Sequence, residues 1–182
     1  KAIWAEKPMC LSLEEADTMI NVCQDNGVKL AINCSRRWHP LYTEAVSIID
    51  AGDIGNLLQV TAYGHTNLST NSHLLDAVNL LARSNVRWVF GEMESDEAAE
   101  SNNDLKGNGY LAYDNGVRAY VRSLECGPAY WEFDVLGTKG RICLLNNGQQ
   151  GELIRLENPE PDSRGFRSSS RGSRGLPAKY IF

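Results

Sequence analysis

At 182 residues, with 42% hydrophobic and 23% charged residues, the chain has the make-up of one folded domain, or of one domain joined to part of another. A net charge of −5 gives no electrostatic ground for nucleic acid or an anionic membrane as partner, and no apolar run approaches the roughly 20 residues that span a bilayer. Five scattered cysteines without a C-x-x-C exclude an obvious zinc site or disulfide framework and suit reduced thiols in the cytoplasm.

The chain opens on Lys1 with no apolar leader, so a processed or internal start is expected. Ala2-Ile3-Trp4-Ala5 is a short apolar run stopped by Glu6-Lys7-Pro8, as for a buried strand entering a turn. Ser12-Leu13-Glu14-Glu15 has the form of a capping box, in which a Ser hydroxyl and a Glu three residues on take up free amides at a helix start. Leu13, Ala16, Met19, Ile20 and Cys23 then recur at helical spacing, and Asn26-Gly27 offers a left-handed stop. Residues 28–33 read as a second strand. Strand, helix and strand this close together make a βαβ unit, whose strands are parallel.

Pro40 stands where a first helical residue would, and Leu41, Ala45, Ile48 and Ile49 form the apolar stripe of a helix ending at Ala51-Gly52. Residues 59–65 read as a strand. Asn71-Ser72 reads as the start of a helix with Leu74, Val78 and Leu81 on one face. Beyond it the pattern is β, with runs at 86–92, 109–113, 117–125, 130–136, 141–145 and 153–156. Asp114-Asn115-Gly116 is a hairpin signal, since Asn-Gly tolerates the positive φ of a tight turn. Successive hairpins predict a largely antiparallel sheet. Trp131, Phe133 and Val135 alternate with Glu132 and Asp134, and Val117, Ala119 and Val121 alternate with Arg118, Tyr120 and Arg122. One face is expected to pack on helices; the other, polar with embedded aromatics, suits either solvent or a subunit interface, and its Tyr and Arg residues favour the interface. Residues 158–178, rich in Ser, Arg, Gly and Pro, read as a flexible loop, and 179–182 as the beginning of a strand.

Three patterns bear chemically competent side chains. Lys7 follows a strand whose carboxyl end is where ligands of an open α/β sheet bind. A partly desolvated Lys there can hydrogen-bond a substrate hydroxyl, although an X-Pro turn also suits a plain surface Lys. Arg36-Arg37-Trp38 fits recognition of a phosphate or a sugar face, and equally fits a solvated basic turn. His39, beside Pro40, reads as the cap of the next helix. His73 and Asp76 share a helical face off the apolar stripe, which suits a general acid/base held near a carboxylate. The alternative is a structural His near a helix N-terminus with Asp favouring the dipole.

Taken in order, Glu6-Lys7-Pro8, Ser12-Leu13-Glu14-Glu15-Ala16, Arg36-Arg37 with Pro40, Ala51-Gly52-Asp53-Ile54-Gly55, His73-Leu74-Leu75-Asp76 and Gly137-Thr138-Lys139-Gly140-Arg141 resemble the Gfo/Idh/MocA oxidoreductase family (glucose–fructose oxidoreductase, inositol dehydrogenase and relatives). The resemblance runs from residue 1 to about 156. It implies an α/β and α+β architecture. Residues 1–33 would be the end of a Rossmann domain, as a βαβ piece. Residues 34–182 would be a substrate and oligomerisation domain, a mixed, largely antiparallel open sheet with helices packed on one face, assembling through the open face into a homodimer or homotetramer.

By the same resemblance the activity is hydride transfer between NAD or NADP and a sugar, polyol or related hydroxy compound, without a metal. Lys7 and His73 would be catalytic, Lys7 polarising the substrate oxygen and His73 moving its proton. Glu6, Lys7, Pro8 and Arg37 would border the cofactor, with a cis Lys7–Pro8 bond aiming the lysine. Arg36, Trp38, Ser69 and Asp76 would stand around the substrate. No G-x-G-x-x-G occurs in the sequence, so the phosphate-binding loop is expected upstream of Lys1 and the closing helix after Phe182, leaving this fragment inactive by itself. One position departs from the family pattern. Many members carry Asp four residues before the histidine, where this chain has Ser69, which holds no charge. On that departure and the missing fingerprint rests the other reading, a non-enzymatic oligomerising or sugar-binding relative without catalysis.

Overall fold

A computed structural model describes residues 1–64, 67–94, 104–124, 131–155 and 179–181, with the backbone alone at 68–70 and 179–181. The chain begins as the βαβ unit its pattern predicts: β1 (Ala2–Glu6), α1 (Leu13–Asp25) and β2 (Lys29–Asn33), with β1 and β2 parallel from Ala2 opposite Lys29 to Glu6 opposite Asn33. Ser12 Oγ accepts the Glu15 amide at 3.2 Å, and the Glu15 carboxylate accepts the amide of Leu11 at 3.0 Å, one residue earlier than a capping box uses. Past α1, Gly27 takes φ +62°, the left-handed conformation that only Gly adopts freely. The expectation that the first strand is buried is corrected here. Ile3 and Trp4 are 47% and 62% exposed, because among the described residues β2 is the one strand paired with β1.

A 3-10 turn at Ser35–Trp38 leads into α2 (Pro40–Asp50), capped by His39, whose Nδ1 accepts the Leu41 amide at 3.3 Å. Then come β3 (Leu57–Gly64) and α3 (Leu68–Ala82). The start of α3 is a second correction. Asn71 does not cap the helix; its amide donates to the Asn67 carbonyl at 2.8 Å, and its buried side chain donates to Ser123 Oγ. The helix therefore starts at Leu68, and His73 lies in its second turn instead of opening it. A polar residue inside a helix is admissible when it finds a buried partner across the interface.

The remaining strands are β4 (Val86–Glu94), β5 (Lys106–Tyr113), β6 (Arg118–Ser123), β7 (Glu132–Gly137), β8 (Gly140–Leu145), β9 (Gln150–Arg155) and β10 (Lys179–Ile181). They join β3 in one eight-stranded sheet of order β10-β9-β8-β7-β3-β6-β5-β4, antiparallel throughout except for the parallel pair β3–β6. The β5–β6 turn has Gly116 at φ +89°, as the Asp-Asn-Gly signal requires. The expected loop at 158–178, and residues 65, 125, 130, 156 and 182 of the expected strands, lie outside the described residues.

The core lies between the inner sheet face and helices α2 and α3. Leu74, Val78 and Leu81 of α3 and Val60, Phe133 and Val135 of the sheet are all 2% exposed or less. Fully burying side chains of this size contributes about 1.5–3 kcal/mol each. The outer face carries Arg118, Arg122, Glu132 and Asp134, together with a row of rings in which Tyr110 lies 5.4 Å from Trp88 and 5.0 Å from Tyr120. Phe90 is 74% exposed on the same face. Among the described residues no helix is long and apolar enough to cross a membrane.

Candidate functional site

The parallel pairing of β1 and β2 sets their carboxyl ends side by side. Asn33 Nδ2 donates to Glu6 Oε1 at 2.6 Å, and Lys7, joined to Pro8 by a cis bond, leaves the sheet at this edge. The chain then turns through Cys34 and the 3-10 turn, and the second turn of α3 comes to meet it. Arg37 grips Asp76 with a two-point ion pair, Nη2 to Oδ1 at 2.6 Å and Nε to Oδ2 at 3.2 Å. This planar fork ties α3 to the segment that follows β2.

His73 shares this place with Lys7. Burial pushes the imidazole below its ordinary value of 6.5, and the charges of Lys7 and then Arg36 push it further in the same direction. Asp76 and Glu6 oppose the shift more weakly. The net result is a neutral imidazole at physiological pH, the form that accepts a proton. His73 Nδ1 is buried with no hydrogen-bond partner among the described residues. The expected pairing of His73 with Asp76 is not formed; both Asp76 oxygens accept from the Arg37 guanidinium instead. Asp76 therefore orients Arg37, and acts on His73 only through its charge.

The remaining expected site residues divide. Arg36 belongs here: its Nη1 donates to the Asn147 carbonyl at 2.8 Å, and its guanidinium carbon lies 4.9 Å from the centre of the Trp131 ring. Trp38 instead packs on Trp4, centroids 5.9 Å apart, and is 58% exposed. Ser69 lies one helical turn before His73, and its side chain is outside the described residues.

Three neighbours were not visible as site residues in the sequence. Cys34 is one; burial first, and Asp76 second, raise its thiol above the ordinary value against the opposing charges of Arg37 and Lys7. The thiol therefore stays protonated and is a poor nucleophile. Trp131, whose ring centre is 6.0 Å from that of His73, read only as a core residue of a strand. Asn147 joins it by accepting the Trp131 amide on Oδ1 at 2.7 Å. The sequence signal for this last residue was Asn146-Asn147-Gly148, three residues that tolerate positive φ and adopt +53°, +59° and +76°. Among the described residues no group of three or more His, Cys, Asp or Glu is placed to hold a metal ion.

No family model matches the chain. Among curated proteins it is similar to scyllo-inositol 2-dehydrogenase (NAD(+)) of Bacillus subtilis, 25% identical over 162 residues that cover 78% of this chain and 47% of that protein. It is similar also to D-xylose 1-dehydrogenase (NADP(+)) 2 of Haloferax volcanii, 26% identical over 156 residues that cover 77% of this chain and 48% of that protein. An inositol dehydrogenase homolog from Azotobacter vinelandii, complexed with NADH and myo-inositol, superposes with a TM-score of 0.76 at 14% identity, covering 100% of this chain and 49% of that one. These similarities agree with the resemblance of its motifs to the Gfo/Idh/MocA family. An NAD binding oxidoreductase from Klebsiella pneumoniae has the same fold, with a TM-score of 0.74 at 16% identity over 87% of this chain and 52% of that one. The chain spans about half the length of the curated relatives it matches.

Proposed function

We propose that the chain is the catalytic and sheet-forming part of an NAD(P)-dependent oxidoreductase that moves a hydride between nicotinamide and a hydroxyl-bearing carbon of a sugar, polyol or related compound. The feature that carries this reading is that Lys7, at the carboxyl end of a parallel strand, stands near enough for its charge to act on His73, which comes from a helix more than sixty residues later. The names of the curated relatives, which act on inositol and xylose, support the substrate class. In this reading residues 1–33 end a nucleotide-binding domain and residues 34–182 form the substrate domain.

The residues present suit the nicotinamide end of a dinucleotide. Glu6, Lys7 and Pro8, at the strand end, would border such a ring, with Arg37 on the neighbouring turn, and the buried Nδ1 of His73, unpartnered among the described residues, would form a polar wall. The glycine-rich phosphate cradle is not among them, because the sequence holds no G-x-G-x-x-G. When bound, the nicotinamide accepts or supplies the hydride. The Lys7 ammonium donates to the substrate oxygen and stabilises the charge that grows there as the hydroxyl proton leaves. His73, kept unprotonated by burial and by two nearby cations, takes that proton on Nε2 and returns it in the reverse direction. Arg37 and Asp76 hold the two elements together during this step. The ringed outer face of the sheet joins copies of the protein.

The test is a screen of aldoses and polyols against the full-length protein, following nicotinamide absorbance. Lys7→Ala and His73→Ala are each expected to lower turnover by on the order of a hundredfold while leaving the fold intact. Near-full activity in both variants removes the proposed mechanism.

A further inference from the structure

Beyond this reading, and resting on its role for His73, we infer that Trp131 is a positioning residue for that histidine, seated by Asn147 and Gly64 so that its indole backs the imidazole and carries the Arg36 guanidinium. Trp131 is 6% exposed and precedes β7, far in sequence from both α3 and the 3-10 turn. Three constraints fix it. Its amide donates to Asn147 Oδ1 at 2.7 Å, while the same Asn147 accepts Arg36 Nη1 on its carbonyl at 2.8 Å, so one left-handed residue aligns the indole and the guanidinium together. The guanidinium carbon lies 4.9 Å from the ring centre, within the range of a cation–π contact. On the sheet side, a Cβ added to Gly64 would stand 2.5 Å from Trp131 Cδ1 and 2.8 Å from its Nε1, so only Gly leaves room for the indole.

With its Nδ1 unpartnered among the described residues, the imidazole lacks the hydrogen bond that commonly sets the plane of a working histidine. The indole, 6.0 Å away and inclined at 50°, does this steric work instead. It also settles which charges face His73. Arg36 is presented from the 3-10 turn and Lys7 from the end of β1, against Glu6 at the same strand end and Asp76 one turn along α3. Loosening the indole takes away the ring on which the Arg36 guanidinium lies, leaving it the Asn147 carbonyl alone, while Lys7, Glu6 and Asp76 stay in place, so the balance shifts toward the imidazolium.

The experiment compares Asn147→Gly, Gly64→Ala and Trp131→Phe in the full-length protein. Asn147→Gly keeps the left-handed backbone and the carbonyl but loses Oδ1; Gly64→Ala displaces the indole; Trp131→Phe keeps a flat ring of shorter reach. The His73 ring is followed by nitrogen NMR across pH, assigned against His73→Gln, and kcat and KM are measured across the same range. In Asn147→Gly and Gly64→Ala the His73 titration should move up toward the ordinary value, and the acid limb of the kcat profile should move with it. At a fixed pH near that limb kcat should fall on the order of tenfold while KM changes by no more than about twofold, and Trp131→Phe should lie between these variants and wild type. Folded variants with an unmoved His73 titration and an unmoved acid limb overturn the inference, even if His73→Ala is inactive. A shifted titration in a protein whose His73→Ala variant keeps full turnover upholds Trp131 as the seat of His73 and removes the catalytic reading of the histidine instead.

Discussion

Gly137→Ala isolates the contact that locks the β7–β8 turn onto the connection between α2 and β3. A Cβ at Gly137 would stand 2.2 Å from the Ile54 carbonyl oxygen, 2.9 Å from its carbon and 3.0 Å from its Cβ, and Ile54 is fully buried. The oxygen would have to retreat by about 1.2 Å to reach 3.4 Å, where ordinary contact begins. That oxygen accepts the Lys139 amide at 2.7 Å, beside bonds from Thr138 N to Asn56 O at 2.9 Å and from Asn56 N to Thr138 Oγ1 at 3.0 Å. Overpacking of this kind costs about 1–3 kcal/mol, and the strained hydrogen bond about 0.5–1.5 kcal/mol more, so the sum is about 1.5–4.5 kcal/mol. Urea unfolding should show a lower midpoint with an unchanged slope, and thermal unfolding a loss of about 2–4 °C for each kcal/mol. Gly116→Ala is the control. Gly116 has φ +89° and nothing within 4 Å of an added Cβ, so its cost is conformational alone, about 1–2 kcal/mol. A Gly137→Ala protein within about 0.5 kcal/mol of wild type would refute the argument, since half a kcal/mol is the spread of innocuous substitutions.

Stability should also depend on His73. Its folded-state pKa is lowered, so the unfolded chain takes up the proton first, near the ordinary value of 6.5, and stability is lost as pH falls from there through the folded value. Urea midpoints from about pH 8 to 5 should therefore decline less in His73→Gln than in wild type, and parallel declines would contradict the assignment. The intact protein should sediment as a dimer or larger, and Phe90→Asp on the outer face should shift it toward monomer; a monomeric wild type at micromolar concentration would show that face to be merely solvated. The 182-residue chain alone should bind neither NAD(H) nor NADP(H), because phosphate anchoring uses glycine-rich helix-start amides that its sequence lacks. Micromolar affinity by calorimetry would overturn that expectation.

What the sequence by itself determined is whatever a few neighbouring residues decide. The Ser12 cap with Glu15, the stop at Gly27, the His39-Pro40 helix start and the turn at Gly116 each depend on one backbone conformation and one or two local hydrogen bonds. The alternation along β6 and β7 likewise follows from the two-residue period of a strand, and the βαβ spacing brought Lys7 to a strand end. Tertiary structure decided the rest. Asn71 looked like a cap because its neighbours do not include Ser123, the partner that lets it sit inside α3. Asp76 lies three residues from His73, yet it closes on Arg37, since a bidentate guanidinium offers a carboxylate two aligned donors. Trp131 reaches His73, and Asn147 reaches Trp131, only after the antiparallel pairing of β3 with β7 and the β7–β8 hairpin have folded the chain back on itself. Competition among distant partners for one buried group is settled by geometry in three dimensions, and spacing along a chain carries no record of it.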